Sequence, residues 1–293
     1  ELEWEVDLPN IACEDAYTGQ DITLGDLLQP YQPQFTPNNV EAYDGITNRL
    51  RPMKVDLLFT AEELEKFRQK WRPNWFTPNP EDIRNTYAGY VLGQHVLPVL
   101  MENVNEASYK GEFSAPVAGT PGAVLESVDG FEKGVTDQIN AGRLVPINTG
   151  ALVEATMEAQ VRNFCKALPT AYRYKPGKIY MSKTNAQKYA DNYAANHPNH
   201  REIEESPDRM VLRVDNFNKQ IIGLTSMEGY DRMILRFDNK DSMLIGTRKG
   251  FPDFFNFRFQ AFDRTLKVMA EIYRFYGFET CFHMFVNEQG IIT

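Results

Sequence analysis

Between residues 53 and 59 every second position is apolar, and Lys54, Asp56 and Leu58 lie between these positions. The apolar positions are Met53, Val55, Leu57 and Phe59. Successive side chains of a strand point to opposite faces, so a period of two predicts a β-strand with one buried face.

This predicted strand is followed at once by a helix start signal. The Thr60 hydroxyl can accept a hydrogen bond from the backbone N–H of Glu63, and the Glu63 carboxylate can accept one from the N–H of Thr60. Leu64 and Phe67 follow at helical spacing. We therefore expect the strand to pass into a short capped helix without an intervening loop.

The first 48 residues divide into two patterns. Residues 1–8 alternate between acidic and apolar side chains, which predicts a half-exposed strand. Residues 9–48 are rich in proline and glycine and show little periodicity, which is unusual for so long a segment inside a compact domain. Because alternating strands flank it, we interpret this segment as an extended arm or hairpin that projects from the body, with residues 22–28 available to dock on a neighbour.

Helical periodicity is strongest in the middle of the chain. Apolar residues keep the 3.6-residue period across 81–107, directly after Pro80. Pro98 lies inside this helix and should kink it, since it removes one backbone hydrogen bond.

Two further helices are expected after a loop of small residues. The first spans 123–141, although two internal glycines weaken it. The second spans 149–167, with Asn148 or Thr149 as its cap and Pro169 as its stop.

The second half of the chain is mainly alternating. A short strand at 178–181 is followed by Ser182, which opens a helix at 184–195. Further strands are expected at 209–215, 219–226, 231–237, 242–247, 253–275 and 278–287. The last two should meet at a corner made by Gly277 with a positive φ. Strands first, helices next and antiparallel strands last give an α+β fold.

The composition is that of a globular protein. At 293 residues, with 42% hydrophobic and 24% charged residues, the chain should form one large or two closely joined domains. Its net charge of −9 argues against a main role in gripping nucleic acid, which depends on basic residues that neutralise phosphates. The aromatic share of 12% suits large packed surfaces, including subunit interfaces. No stretch approaches the roughly 20 apolar residues of a membrane span, and no signal peptide is recognisable.

Motifs of known chemistry are missing from the sequence. The phosphate-loop patterns GxxxxGK[ST] and GxGxxG and the hydrolase patterns GxSxG and HExxH do not occur. Cys13, Cys165 and Cys281 have no metal-type spacing, so we expect reduced thiols.

Two clusters contain residue types that metal or nucleophilic sites use. His197 and His200 precede three glutamates within residues 202–205, but Pro198 disfavours their convergence, which favours an acidic surface loop. Cys281 and His283 are expected on one face of a strand, too far apart for a nucleophile pair. We therefore interpret Cys281 as a packed thiol and His283 as a neighbour without a catalytic role.

Charged residues in loops raise two more candidates. Arg143 and the segment 248–250 (Arg-Lys-Gly) could bind anions. The main interpretation is that they are solvated charges in loops. The alternative is that they pair with carboxylates of another subunit. Asn287 and Glu288 would suit an isopeptide crosslink, but residues 9–48 contain no lysine, so no self-crosslinking is expected. The sequence therefore assigns no catalytic, cofactor-binding or metal-binding residue.

The order of these elements resembles the major capsid proteins of tailed bacteriophages, of the Hong Kong 97 type. Five stretches carry the resemblance: 53–64, 81–107, 122–131, 178–190, and 230–250 with the strands that follow. The first two are similar to the end of that family's extended loop and to its long spine helix. The third is similar to a segment common after the spine. The fourth is similar to the strand and helix of its axial domain, and the last to the return to its peripheral sheet.

The resemblance implies an α+β capsid fold with an extended loop, a peripheral domain that has a long spine helix and an antiparallel sheet, and an axial domain. The corresponding segments would be 1–60 (extended arm or loop hairpin), 61–147 (peripheral domain with spine helix), 148–250 (axial domain) and 251–293 (strands returning to the peripheral domain).

The resemblance also implies a structural and non-enzymatic role, as a major capsid protein that self-assembles into hexamers and pentamers of an icosahedral head around double-stranded DNA. Its partners would be copies of itself, with scaffolding, portal and decoration proteins and loosely held DNA; no cofactor, membrane or small-molecule substrate is expected. Assembly would occur in the bacterial host cytoplasm, and the protein would reside in the virion capsid. The alternatives are an encapsulin-type shell, which encloses protein cargo, and a metal-dependent hydrolase with a scattered site.

Overall fold

The computed structural model describes residues 2–24, 41–70, 87–198, 203–205, 210–214, 216–237, 242–251, 255–262 and 265–289. Its strands are β1 (Asn10–Cys13), β2 (Ala16–Leu24), β3 (Glu41–Arg49), β4 (Arg51–Phe59), β5 (Gly177–Ser182), β6 (Ile203–Glu205), β7 (Met210–Val214), β8 (Lys219–Leu224), β9 (Ile234–Arg236), β10 (Met243–Arg248), β11 (Arg258–Phe262), β12 (Thr265–Phe278) and β13 (Phe285–Val286). Its α-helices are α1 (Ala61–Lys70), α2 (Tyr87–Val91), α3 (Leu97–Lys110), α4 (Phe131–Asn140), α5 (Met157–Ala167), α6 (Thr170–Arg173) and α7 (Lys183–Asn196). The described residues thus mix helices with largely antiparallel sheets, as the sequence predicts.

The long strand β12 is the centre of a five-stranded sheet. β10 and β11 pair with different parts of one edge of β12, and β1 pairs with β10. β4 pairs with the opposite edge of β12. β4 is antiparallel to β12 from Arg51, opposite Arg274, to Phe59, opposite Leu266. Met53 is buried while Lys54 is exposed, so the alternation predicted for this strand is confirmed.

The capping box after β4 is also confirmed. The carboxylate Oε2 of Glu63 accepts the Thr60 backbone N–H at 2.8 Å, and the Thr60 hydroxyl accepts the N–H of Glu63 at 3.4 Å. These two bonds satisfy donors that the first turn of α1 would otherwise leave open. Strand and helix therefore follow one another with only Thr60 between them.

The long central helix consists of α2, a π-helical turn at Leu92–Val96, and α3. The N–H of Leu97 bonds to the carbonyl of Leu92, which is the i to i−5 pattern of a π-helix. Pro98 lacks an N–H and its ring crowds the carbonyl four residues earlier, so the wider turn just before it relieves the clash. The predicted helix and its disturbance near Pro98 are confirmed from residue 87 onward; residues 81–86 lie outside the described part.

The six-stranded sheet has the order β13-β9-β5-β8-β7-β6. β5 and β8 are parallel, and the other neighbours are antiparallel. At the end of β5 the Ser182 hydroxyl accepts the N–H of Asn185 at 3.2 Å, so Ser182 is the N-cap of α7. Residues of α5, α7 and this sheet share one hydrophobic core, which includes Phe164 and Ile221.

Residues 2–8 do not form the predicted strand. The N–H groups of Asp7 and Leu8 both bond to the carbonyl of Trp4, at 3.2 and 3.1 Å, which makes a compact turn. Leu2, Trp4 and Leu8 are buried, whereas Val6 is exposed. The alternation is real in the sequence, but the contacts that these side chains make elsewhere in the molecule bend the backbone.

The helix predicted at 123–141 begins only at Phe131, after a 3₁₀ turn at Val124–Glu126. The N–H of Gly130 bonds to the carbonyl of Gly111 at 2.8 Å, and a Cβ on Gly130 would lie 2.5 Å from the Tyr109 carbonyl. Gly130 therefore packs its backbone against the end of α3, and helix formation starts after it.

The helix predicted at 149–167 is also shorter than expected. It begins at Met157, after a 3₁₀ turn at Glu154–Thr156, so neither Asn148 nor Thr149 caps it. It ends at Ala167, before Pro169, as predicted.

The predicted corner at Gly277 is wrong. Gly277 lies inside β12, opposite Leu244, and it is not among the described glycines with a positive φ. The strand predicted at 278–287 is largely wrong as well, since the chain turns after β12 and only Phe285–Val286 is a strand.

Candidate assembly surfaces

The hairpin β2–β3 is a two-stranded antiparallel ladder. It runs from Ala16 opposite Arg49 to Leu24 opposite Glu41. The segment interpreted as an arm or hairpin therefore contains a hairpin ladder, and its residues 25–40 lie outside the described part.

Asn48 fastens the base of this hairpin to the end of β12. Its Nδ2 donates to the carbonyl of Phe278 at 2.9 Å, and its Oδ1 accepts the N–H of Phe278 at 3.1 Å. One side chain thus satisfies both backbone groups of the last residue of β12. Gly19 allows β2 to approach equally closely, because a Cβ there would lie 2.4 Å from the Glu279 carbonyl.

Arg143 makes a second attachment. Its Nε donates to Oδ2 of Asp44 at 2.5 Å, and Nη1 donates to Oε1 of Gln138 at 2.9 Å. The hydrogen bond from Arg143 lowers the pKa of Asp44. Arg143 is therefore not a solvated loop charge, and the carboxylate that it pairs with belongs to the hairpin of its own chain.

The outer half of the hairpin is paired only within the hairpin among the described strands. β12 ends at Phe278, which Asn48 contacts, while the ladder continues outward from Gln20 opposite Gly45. Within the described part of the chain, β2 and β3 form a separate sheet of two strands. A strand edge without a paired neighbour is a ready template for contact with another chain.

An apolar groove with a volume of about 460 Å³ lies between β4 and the helix that follows the π-turn. Its apolar lining comprises Met53, Val55, Leu57, Phe59, Val96, Val99, Leu100, Val104, Ala107, Val124 and Phe255. Val99 is 56% exposed. Apolar surface of this kind is typical of a contact site.

The loop after α3 adds exposed apolar side chains beside the groove, among them Val117, Val124 and Leu125. The N–H of Glu112 bonds to the carbonyl of Leu125 at 2.8 Å and so joins the two ends of the loop. Exposed apolar residues of this kind favour an interface.

His197, the described histidine of the candidate metal cluster, contacts a carboxylate outside that cluster. His197 ends α7, and its Nε2 lies 3.1 Å from Oε1 of Glu158, which also accepts from Arg162 at 3.2 Å. Within the segments that the structure describes, no group of three or more His, Cys, Asp or Glu residues could hold a metal ion. His200 and Glu202 lie outside those segments.

Cys281 and His283 lie in a turn, so the strand predicted for them is wrong. Cys281 is buried, as expected for a packed thiol, and Nδ1 of His283 lies 3.0 Å from the Tyr172 hydroxyl. The three cysteines, all of them described, are not joined by a disulfide.

Three other charged or polar candidates have structural contacts. Arg248 lies over the rings of Phe251 and Tyr273, at 4.9 and 4.5 Å from their centroids, a cation–π arrangement. Asn287 is buried, and its Oδ1 accepts the N–H of Met233 at 2.8 Å. Glu288 accepts the N–H of Gly150 at 2.7 Å, so this end of the described chain is fastened beside the six-stranded sheet.

A buried ionic network escaped prediction. Nη2 of Arg232 lies 2.7 Å from Oε1 of Glu132, and the Tyr109 hydroxyl donates to Oε2 of the same carboxylate at 2.6 Å. Nη1 of Arg232 donates to the carbonyl of Asn287 at 2.6 Å. These residues are far apart in the sequence, and no local signal marks them.

No family model matches this sequence, and no curated protein matches it. Solved structures do match over nearly its whole length. The capsid of an empty GTA particle has a TM-score of 0.58 at 13% identity, over 99% of this chain and 90% of that one. The capsid of Myoviridae phage XM1 has a TM-score of 0.55 at 10% identity, over 98% and 90%.

A third match is the holo-SrpI encapsulin complex from Synechococcus elongatus PCC 7942, with a TM-score of 0.52 at 10% identity, over 97% of this chain and 86% of that one. Among the described helices, none has the length and apolar character needed to cross a membrane. The chain thus has the capsid fold that phage capsid proteins and encapsulins share.

Proposed function

We propose that this chain is the major capsid protein of a tailed-phage head. It is a structural subunit, without enzymatic activity, that self-assembles into hexamers and pentamers of an icosahedral shell around double-stranded DNA. The observation that carries the proposal is that phage capsid structures match 98–99% of the chain.

The chain path supports a division into the parts of such a subunit. The hairpin belongs to the extended loop (1–60), and the helix from Tyr87 to Lys110 is the spine of the peripheral domain (61–147). The six-stranded sheet is the centre of the axial domain (148–250). Of 251–293, β11 and β12 return to the peripheral domain, because they join the sheet of β4, the strand that leads directly into α1, whereas β13 pairs with β9 of the six-stranded sheet.

The exposed surfaces give a physical basis for assembly. The hairpin is fixed at its base while its outer part is paired only with itself among the described residues, so it can reach over a neighbouring copy. The apolar groove and the loop beside it offer surface for a neighbour to bury. Each contact needs only moderate strength, because symmetry repeats it many times.

Partners and location follow from the same proposal. The chain binds copies of itself and, during assembly, scaffolding, portal and decoration proteins. It holds DNA loosely, since its net charge is −9. Assembly takes place in the bacterial host cytoplasm, and the mature protein resides in the virion.

An encapsulin-type compartment is the second candidate, favoured by the match to the holo-SrpI encapsulin complex over 97% of this chain. Both candidates share the fold and differ in what the shell contains.

Negative-stain electron microscopy together with sedimentation velocity on the purified chain tests the proposal. Shells, rings or capsomers are expected, and a chain that remains monomeric at all concentrations contradicts it. Nuclease-protected double-stranded DNA in the particles supports the phage head, whereas a stoichiometric protein cargo without DNA supports the encapsulin alternative.

A further inference from the structure

The buried network of Tyr109, Glu132, Arg232 and Asn287, here called the Arg232 cluster, joins elements of the two large sheets. Tyr109 and Glu132 belong to α3 and α4, and α4 contacts β12 of the five-stranded sheet. Arg232 and Asn287 lie within two residues of β9 and β13 of the six-stranded sheet. The cluster therefore bridges the boundary between the two sheets.

Apolar residues from both sides of this boundary share one hydrophobic core. Phe131 of α4 and Tyr276 of β12 belong to it, and so do Tyr180 and Ile222 of the six-stranded sheet. The hydrophobic effect follows the apolar area removed from water and has no preferred direction. The shared core therefore holds the two sides together, but it selects the angle between them less strictly than directional bonds do.

The contacts of Arg232 are directional. Its Nε donates to both carboxylate oxygens of Glu132 at 3.2 Å, Nη2 donates to Oε1 at 2.7 Å, and Nη1 donates to the carbonyl of Asn287 at 2.6 Å. Burial and the carboxylate raise the pKa of Tyr109, so its hydroxyl remains a donor to Glu132 Oε2, at 2.6 Å. The guanidinium is a rigid planar fork, so these bonds are all made in one relative orientation.

Asn287 fixes the backbone on either side of Arg232. Its Oδ1 accepts the N–H of Met233 at 2.8 Å, and its Nδ2 donates to the carbonyl of Asp231 at 2.8 Å. Asn287 is itself fully buried. The guanidinium is thus carried by a held backbone, which limits how far it can follow a displaced carboxylate.

Burial makes a misplaced partner unfavourable. Arg232 and Glu132 are both buried. Apolar side chains of similar volume in place of such a pair are often neutral or stabilising, whereas one buried charge without its partner is strongly destabilising. An orientation in which the fork misses the carboxylate is therefore disfavoured much more than it would be by apolar contacts.

We propose that Arg232 is a positioning residue, whose cluster selects one orientation of the six-stranded sheet against α3 and α4. In a shell subunit this orientation sets the shape of the subunit, a second step that rests on the proposed function. The first step concerns the single chain and does not depend on assembly.

Distances between two spin labels test the first step. The labels are attached at Asn140→Cys in α4 and at Ala195→Cys in α7, which are exposed positions, after Cys13→Ser has removed the half-buried thiol. α7 packs against β5 and β8 of the six-stranded sheet, so the label distance reports the orientation of that sheet relative to α4. The parent protein should give one narrow distance distribution.

Two variants should at least double the width of this distribution. Arg232→Lys keeps the charge but replaces the fork with a point charge. Glu132→Leu combined with Arg232→Met and Tyr109→Phe makes the cluster apolar, and its urea midpoint should not fall below that of the parent. The matched control is Lys133→Gln with Asp137→Asn, which removes an exposed ion pair of the same helix and should keep the narrow distribution.

The distances decide the first step in every case. A narrow distribution in Arg232→Lys, measured below its unfolding transition, overturns the role of Arg232, and this variant decides alone if the apolar variant does not fold. A broad distribution in the parent also overturns it, since no single orientation is then selected.

Particle diameters from electron microscopy test the second step. Shells of the parent should have one diameter, whereas Arg232→Lys should give several diameters or open sheets. Shells of equal diameter from both proteins reject the link to subunit shape. A parent that forms no assemblies contradicts the proposed function alone, because the label distances still decide the role of Arg232.

Discussion

Asn48 occupies the space that a side chain on Gly277 would need: a Cβ added to Gly277 would lie 1.9 Å from Oδ1 of Asn48. The same carboxamide makes the two hydrogen bonds to Phe278 that hold the hairpin base. The glycine is therefore required by the close approach of another side chain and not by its own backbone angle. This contact couples the hairpin to the centre of the five-stranded sheet.

Replacing Gly277 with alanine should lower the free energy of unfolding by about 2 kcal/mol, because the added methyl group overpacks the site. Replacing Gly277 with valine should lower the free energy of unfolding further. Urea unfolding measures both. Gly93→Ala is the matched control, since nothing lies within 4 Å of its added Cβ, and it should be neutral or slightly stabilising.

A double-mutant cycle identifies the cause. Asn48→Ala vacates the space, so Gly277→Ala should cost clearly less in that background than in the parent protein. Equal costs in the two backgrounds would show that Asn48 is not the side chain that excludes a methyl group at position 277.

Shortening the hairpin should separate folding from assembly. Residues 21–44 are replaced by Asn-Gly, which can close a two-residue turn because Gln20 and Gly45 are directly opposite. The variant keeps β1 and Asn48, whereas a deletion of 12–44 would also remove Ala12 and Cys13 from β1. We expect a folded monomer by circular dichroism and no stable shells by electron microscopy.

The control for this experiment is Asp44→Asn, which weakens only the ion pair with Arg143 and leaves the full hairpin. It should still assemble, since the pair is partly exposed and such pairs contribute little. Normal particles from the shortened hairpin would refute its role in assembly.

The buried pair of Arg232 and Glu132 should be costly to break. Arg232→Met leaves a buried carboxylate without its cation, so the free energy of unfolding should fall by about 3–5 kcal/mol. Lys54→Met breaks the exposed pair with Asp56 and should cost less than about 1 kcal/mol. Chemical denaturation measures the free energy of unfolding of the two variants in parallel. Similar losses in both would contradict the expected difference between the buried and the exposed ion pair.

Lys219 should make stability depend on pH. Burial lowers the pKa of Lys219 to about 8, although its ammonium bonds to the carbonyls of Tyr172 and Lys175. Between this value and the ordinary 10.5, the unfolded chain retains a proton that the folded chain has released. The Lys219 contribution to stability therefore rises with pH through this window, by about 1 kcal/mol between pH 7 and 9.

The measurement compares urea unfolding of the parent and of Lys219→Met at several pH values. Burial raises the pKa of Cys165 to about 12, which acts in the opposite direction above pH 9, so only the difference between the two proteins is informative. A difference that does not change between pH 7 and 9 would show that Lys219 does not titrate there.

The sequence by itself determined the elements whose signals are local. Alternation at Met53 and Val55, the hydrogen bonds between Thr60 and Glu63, and the cap at Ser182 each depend on residues within a few positions of one another. Such signals act on short stretches of backbone, so β4, α1 and α7 could be predicted together with most strands of the second half. The order of these elements was also sufficient to suggest the capsid fold.

Only the tertiary structure decided the features that join distant residues. The alternation of residues 2–8 did not become a strand, because Trp4 and its acidic neighbours bind between the two sheets. Gly130 delays α4 because it packs on Tyr109, and Gly277 is a glycine because Asn48 lies against it. A sequence pattern reports which face of an element is apolar, but close backbone approach and buried ion pairs depend on which elements meet, and that is fixed only when the whole chain packs.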